Sequence, residues 1–471
     1  MRCGGCLFFF FLFIFIFFVL DATPRRGSTA EKKKMNKKMK MRRGLPSSLF
    51  PHGPATYWGA PMLRRLLFLF ASLVAASAAF TTEPAFDQPP HDYWHRPLTD
   101  RFTRLQADLV AGRVVLDGNG EKPFLLSLLR ALEIPATSQM LVFSTTSLQL
   151  RLITPANPRA LFFNEDVYVG YIPGGRIEVV SLDPALGGIF YIFDIPRGSE
   201  PVQPERSNRC MNCHAAEDTG HVPGLVIKSV IPGLRGGSLD SFRHGETGHG
   251  VPFSERFGGW YVTGAQNFAP HLGNVIGQLS SAGLTKYPLE PGTQFDFARY
   301  PVAHSDILPQ LLHEHQIGFV NRAVAATYRT RALLANGPLN DAAIVELDSL
   351  AREFTRYLLF ADEVPLPPGG VAGVPAFKAD FLRTRRAGPN DAALKDFDLQ
   401  TRLFRYRCSY MIYGAAFTGL PPEFKQRVYR QLAAALDMKL PAKEYAYLPA
   451  EEKQSIREIL RATMSELPPG W

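Results

Sequence analysis

A chain of 471 residues is long enough for two or three domains, and 46% hydrophobic with 20% charged residues is the composition of ordinary globular protein. The formal charge of +9 suggests a basic face, but its distribution excludes one. Residues 1–65 hold 13 of the 52 Lys and Arg and only Asp21 and Glu31 of the acidic residues, so the rest balances to about −2 and no nucleic-acid partner is expected.

The N-terminus carries two export-like segments. In the first, MRCGGCLFFFFLFIFIFFVL, the apolar stretch Leu7–Leu20 is short for a spanning helix and is followed by the basic run EKKKMNKKMKMRR. The second starts at Met62, with Arg64 and Arg65, an apolar core over Leu66–Val74, and Ala76-Ser77-Ala78 as an A-x-A cleavage site. Two signals in series make little physical sense. The expected organisation is therefore an over-extended start at 1–61, a signal peptide at 62–78 and a mature chain from about Ala79. If 1–61 is translated, its hydrophobic segment becomes a membrane anchor. Either way the protein is expected to be exported, to a periplasm or its equivalent.

Along the mature chain, 101–112 and 123–133 read as helices, the second with Phe124, Leu125, Leu128, Leu129 and Leu132 on one stripe. The period then changes. LVFSTTSLQLRLI (141–153), DVYVGYI (166–172), RIEVVSL (176–182) and GIFYIFDI (188–195) read as strands, with Pro173-Gly174-Gly175 as a hairpin turn. Residues 197–300 are rich in Gly and Pro and lack periodicity, which calls for something other than a regular apolar face to organise them. Helices are expected over 305–335, capped by Ser305 or Asp306, and over 339–360, 421–438 and 449–467. The fold class is α+β: an antiparallel β module over 79–196, a loop-rich centre over 197–300 and a helical half over 301–471.

The chemistry-bearing string is Asn208-Arg209-Cys210-Met211-Asn212-Cys213-His214. CxxCH attaches haem c: two thiols add to the haem vinyl groups, and the adjacent His supplies the proximal nitrogen of the iron. The rivals are weaker. A thioredoxin-like dithiol sits in a βαβ unit, whereas PRGSEPVQPERSN precedes this motif. A structural zinc site needs further Cys or His ligands, and the only other mature cysteine is Cys408, read as a buried free thiol. Cys3 and Cys6 also form a CxxC, but Leu7 follows it. One covalent haem c on Cys210, Cys213 and His214 is the expected cofactor.

The distal side of the iron is less defined. Small cytochromes c use a downstream Met, but the methionines after Met211 are Met411, Met438 and Met464, all in the helical half. His271, in APHLGN, is the leading candidate for the second metal ligand, ahead of His249 and His315; His221, His244, His304 and the methionines are further choices, and an open position is another. His313 and His315 in HEH lie two apart on a helix and point to different faces, and HEH is not the HExxH of a zinc protease. Trp260 and Tyr261 between glycines fit either packing on a porphyrin or a buried turn. Arg206, Arg209, Arg243 and Arg256 are candidates to neutralise haem propionates, against the ordinary reading of a solvated arginine.

The strings RALFFNEDVYVGYIPGG (159–175), RCMNCHA (209–215), ERFGGWYVTGAQN (255–267), HLGN (271–274), HSDILPQLLHEHQ (304–316) and FDLQTRLFRYRCSYMIYG (397–414) together resemble an exported bacterial family of cytochrome c domain-containing proteins, over about 85–471. The resemblance implies one haem c on Cys210 and Cys213 with His214 axial, and implies no substrate. Members of that family have a methionine in the HLGN-like segment where this chain has Leu272, which favours His271 or an open position here. The expected function is electron transfer with a redox protein partner. The alternatives are a peroxidase-like haem enzyme with an open iron site and a haem-based binding or sensing module. A bare carrier needs only about 100 residues, so the size of the chain weighs toward the alternatives.

Overall fold

Helix α1 (Arg101–Val110) begins where the Asp100 carboxylate accepts hydrogen bonds from the backbone N–H groups of Phe102 and Thr103. Helix α2 (Glu121–Ala131) buries Phe124, Leu125, Leu128 and Leu129, and the buried Leu132 at its C-terminal cap completes the stripe read from the sequence. These come from a computed structural model that describes residues 85–198, 200–242, 248–439 and 442–471. The segments 1–61 and 62–78, together with Arg243 and His244, lie outside the described residues.

The chain then builds an antiparallel meander of β1 (Met140–Val142), β2 (Arg159–Phe163), β3 (Val167–Tyr171), β4 (Ile177–Asp183) and β5 (Gly187–Phe193). Strand β6 (Glu205–Arg206) pairs with β5, and the single helical turn α3 (Met211–His214) follows it. Next come the hairpin of β7 (Ser229–Pro232) and β8 (Ser238–Phe242), strand β9 (Trp260–Tyr261), and the hairpin of β10 (Val275–Ser280) and β11 (Gly283–Pro288). Because β9 returns to pair with β1, the sheet has seven strands in the order β6-β5-β4-β3-β2-β1-β9. The helical half consists of α4 (Ile307–Ala335), α5 (Asp341–Leu358), α6 (Pro375–Leu382), α7 (Ala415–Thr418), α8 (Pro422–Ala435) and α9 (Ala450–Thr463). The α+β class holds, and Gly174, at φ 78°, makes the expected turn between β3 and β4.

The sheet is covered on both faces. Phe102, Phe124 and Leu128 pack on one face against Phe162, Val169 and Phe193. On the other, Leu308, Leu311 and Leu312 of α4 pack with Tyr168, Met140 and Trp260. Residues 82–471 make one compact unit, in which the first two segments supply the strands of the seven-stranded sheet and all three segments supply residues to one apolar core. Among the described residues no helix is long and apolar enough to cross a membrane.

Three departures from the sequence reading have local causes. The strand expected over 141–153 stops at Val142, because Ser147 and Gln149 turn back to bond Glu178 instead of continuing a ladder. The aperiodic region 197–300 contains two hairpins that sequence alternation did not reveal, since β10 and β11 are largely exposed and need no buried face. That region is also anchored by its own buried aromatics, Phe257, Tyr261, Phe268, Phe295 and Tyr300, each worth about 1.5–3 kcal/mol.

Candidate functional site

The CxxCH motif hangs from the β6 edge of the sheet. Arg206 pairs with Tyr191 of β5, and the Ser207 N–H continues the ladder to the Phe190 carbonyl at 3.1 Å. A 3₁₀ turn over Asn208–Cys210 runs into α3. Helical spacing places Cys210, Cys213 and His214 at i, i+3 and i+4, the positions that share a side of a helical turn, while Met211 and Cys210 both pack against the core. Met211 is buried in the core under α1 and α2, so it fixes which way the turn faces. Cys213 is exposed, while Cys210 and His214 are half-buried; both thiols are free.

The His214 ring lies on Phe190, with centroids 4.3 Å apart. Its Nδ1 is 2.9 Å from the Gly224 carbonyl oxygen. A carbonyl can only accept, so Nδ1 carries the proton. Burial depresses the pKa of the ring to about 4 against the opposing pull of that hydrogen bond, so the ring is neutral at ordinary pH. A neutral imidazole protonated at Nδ1 has its lone pair on Nε2, the tautomer that a metal-ligating histidine requires. The orienting loop is itself held. The Gly224 N–H donates to the His214 carbonyl at 2.9 Å, and Asn321 of α4 clasps Leu225 through both backbone groups, at 2.7 and 2.8 Å. Gly224 is required there: a Cβ would lie 2.7 Å from Asn321 Oδ1 and 3.0 Å from Thr219 Cβ.

These features fit a covalent haem. Two thiols and an imidazole with a free lone pair share one face of a turn, and the imidazole is pre-oriented by a backbone carbonyl. They do not fit the rivals as well. Burial pushes the Cys210 thiol up to about 11. The described sheets are antiparallel, with one isolated parallel bridge, Thr263 to Asp306, so no βαβ unit frames the motif. Among the described residues no group of three or more His, Cys, Asp or Glu is placed to hold a metal ion.

The candidate distal ligands are placed elsewhere. His271 sits by β9, the opposite edge of the sheet from β6. Its Nδ1 accepts a hydrogen bond from the Gly273 N–H at 3.0 Å, and its ring meets Phe257 edge-on at 6.0 Å. The structure does not bring it together with His214. His249 and His315 pair with each other, Nδ1 to Nδ1 at 2.8 Å, and His315 Nε2 bonds Ser409 Oγ at 2.7 Å. His313, Glu314 and His315 are all buried, because α4 is enclosed on every side along its first half. His313 packs among Phe163, Tyr168 and Trp260. His221 is exposed and His304 half-buried.

Of the arginines considered for propionates, Arg206 stacks on Tyr93 and Trp94, at 4.4 and 4.7 Å, and donates to both their carbonyls. Arg209 is exposed, and Arg256 is buried in an ion pair with Glu314 at 3.2 Å. Trp260 and Tyr261 serve the core as β9: the Trp260 indole N–H donates to the Lys228 carbonyl and the Tyr261 hydroxyl to that of Pro155. Cys408 is a fully buried free thiol. A cavity of about 370 Å³ lined by Phe163, Phe377, Phe381, Gln316 and Lys395 includes no motif residue, and the Lys395 ammonium in it is engaged by Glu165, Thr384 and the Phe381 carbonyl.

Sequence reasoning missed one pair beside the motif, Arg159 of β2 and Glu178 of β4, whose proximity to His214 depends on the register of four strands. No protein-family model, no curated protein and no solved structure matches this chain.

Proposed function

We propose that the protein carries one haem covalently attached through Cys210 and Cys213, with His214 as proximal ligand, and that it transfers electrons to or from a redox protein partner after export. The observation that carries this reading is the His214 tautomer. Nδ1 is committed to the Gly224 carbonyl, and Nε2 is left as a lone pair beside two cysteines on the same face of one helical turn. When bound, the haem supplies a one-electron couple at its iron. The chain supplies the rest: Phe190 and the Gly224 loop orient the imidazole, Asn321 fixes that loop to α4, and Met211 anchors the turn in the core.

A second reading, a haem enzyme with an open distal position, is favoured by one specific finding. His249 and His315 are committed to each other and to Ser409, and His271 lies at the far edge of the sheet. Visible spectra with and without CO and cyanide separate the two. A carrier with both axial positions filled shows a low-spin spectrum that these ligands leave unchanged, whereas an open site shows high-spin iron that binds both. His271→Ala adds a direct check, since loss of the low-spin spectrum would identify His271 as the distal ligand. An unchanged spectrum would exclude it.

A further inference from the structure

The face of the sheet beneath His214 carries a half-buried ion pair. Phe190, on which the His214 ring rests, is opposite Val180 of β4. Glu178 is two residues along β4 and so on the same face, opposite Ile192 and Gly170. Gly170 is opposite Leu161 of β2, and Arg159 is two residues from Leu161, again on that face. Glu178 is thus a diagonal neighbour of Phe190, a separation of about 7–8 Å. The Arg159 guanidinium reaches across β3 to donate to the Glu178 carboxylate at 2.7 Å, with side chains 13% and 20% exposed. Gly170 permits the crossing: a Cβ there would lie 3.2 Å from the Glu178 carboxylate oxygen.

The pair is unequal in its hydrogen bonding. Glu178 is well supplied, its other oxygen accepting from Ser147 Oγ at 2.5 Å and Gln149 Nε2 at 3.0 Å. Burial tends to raise its pKa, but Arg159 and these donors outweigh it and hold the carboxyl below the usual range. Arg159 has only the one acceptor, and its buried Nε has none. The chain therefore fixes a carboxylate firmly and leaves a guanidinium with donors to spare, next to the imidazole that orients toward the cofactor.

We propose that the Arg159–Glu178 pair sets the reduction potential of the iron held by His214, the guanidinium favouring the reduced ion and the carboxylate the oxidised one. The proposal rests on the covalent-haem reading above. Reduction adds one electron and lowers the charge of the site by one, so a nearby cation stabilises the product and a nearby anion the reactant. Low exposure limits screening by salt. The spare donors of Arg159 also suit a carboxylate of the porphyrin, which would place the same charge still closer to the ring.

The test is spectroelectrochemical titration of the haem-loaded wild type, Arg159→Met, Glu178→Gln and the double variant, each checked first for its haemochrome. Arg159→Met is expected to lower the potential, Glu178→Gln to raise it, and the double variant to return toward wild type. Loss of packing alone would move both single variants in one direction. Two shifts of the same sign, or none, would overturn the proposal while leaving the haem assignment intact. If Arg159→Met does not accumulate in loaded form, Arg159→Lys (potential retained) and Glu178→Gln (potential raised) decide the same question. A wild type without a c-type haemochrome would bring down both readings together.

Discussion

His249 and His315 show what burial does to titratable side chains in this molecule. Burial, reinforced by Arg322, depresses the pKa of His315 from 6.5 to about 3, and burial with His315, Arg322 and Arg256 nearby takes His249 well below its ordinary value. Glu314 is held in an ion pair with Arg256. Folded-state values below the unfolded ones mean that the unfolded chain binds more protons in this interval. The stabilisation is therefore complete above about pH 6.5 and is lost as pH falls, for His315 toward about 3, at up to ~1.4 kcal/mol per pH unit for each histidine. Urea unfolding midpoints measured at several pH values should drop on the acid side. The double variant His249→Asn/His315→Gln should show a shallower acid slope, whatever its overall stability. An unchanged slope would mean that the pair is not neutral in the fold.

At the scale of elements, α4 governs the site and the core alike. It carries Asn321, which clasps the Gly224 loop, and the buried run His313 to Gln316. Its contact with α5 is close enough to demand Gly318, where a Cβ would fall inside the Tyr357 hydroxyl and 3.0 Å from Gly248 Cα. That hydroxyl donates to the His315 carbonyl at 2.9 Å. Alanine is favoured over glycine inside a helix by about 1 kcal/mol, but displacing Tyr357 costs the hydrogen bond and forces a shift of about 1–3 kcal/mol. Gly318→Ala should therefore lower the denaturant midpoint; a rise would show that α5 yields freely.

Elements with a marked helical length, apolar stripe or turn signal were legible from the chain. The stripe of α2, the PGG turn between β3 and β4, and the long helices α4 and α5 appear near their expected positions. Strand β2, the short β7–β8 hairpin and the exposed β10–β11 hairpin were not, because short or solvent-facing strands carry no distinctive alternation. The CxxCH turn was legible because its three functional side chains are contiguous and one helical turn brings them together. Arg159 with Glu178 and His249 with His315 were not: each pair is assembled by strand register or helix packing across 19 and 66 residues. Helical periodicity assigned His313 and His315 to different faces, but it gave no sign that α4 is enclosed on all of them.

For the molecule as a whole, the acid-base balance after residue 65 is nearly even, and residues 82–471 form one compact unit around a seven-stranded sheet packed on both faces. Most of that mass lies away from the motif. A large scaffold holding one imidazole at a sheet edge, with an exposed cysteine beside it, places any attached porphyrin near the surface, as exchange with a protein partner requires.

The central claim, covalent haem on Cys210 and Cys213 with His214 beneath it, is tested most directly by the pyridine haemochrome of protein matured with a haem-c assembly system. The account predicts a c-type haemochrome at one haem per chain that survives acid-acetone extraction and disappears in Cys210→Ala/Cys213→Ala. Haem that extracts into the solvent, or a wild-type protein without a haemochrome, would contradict it.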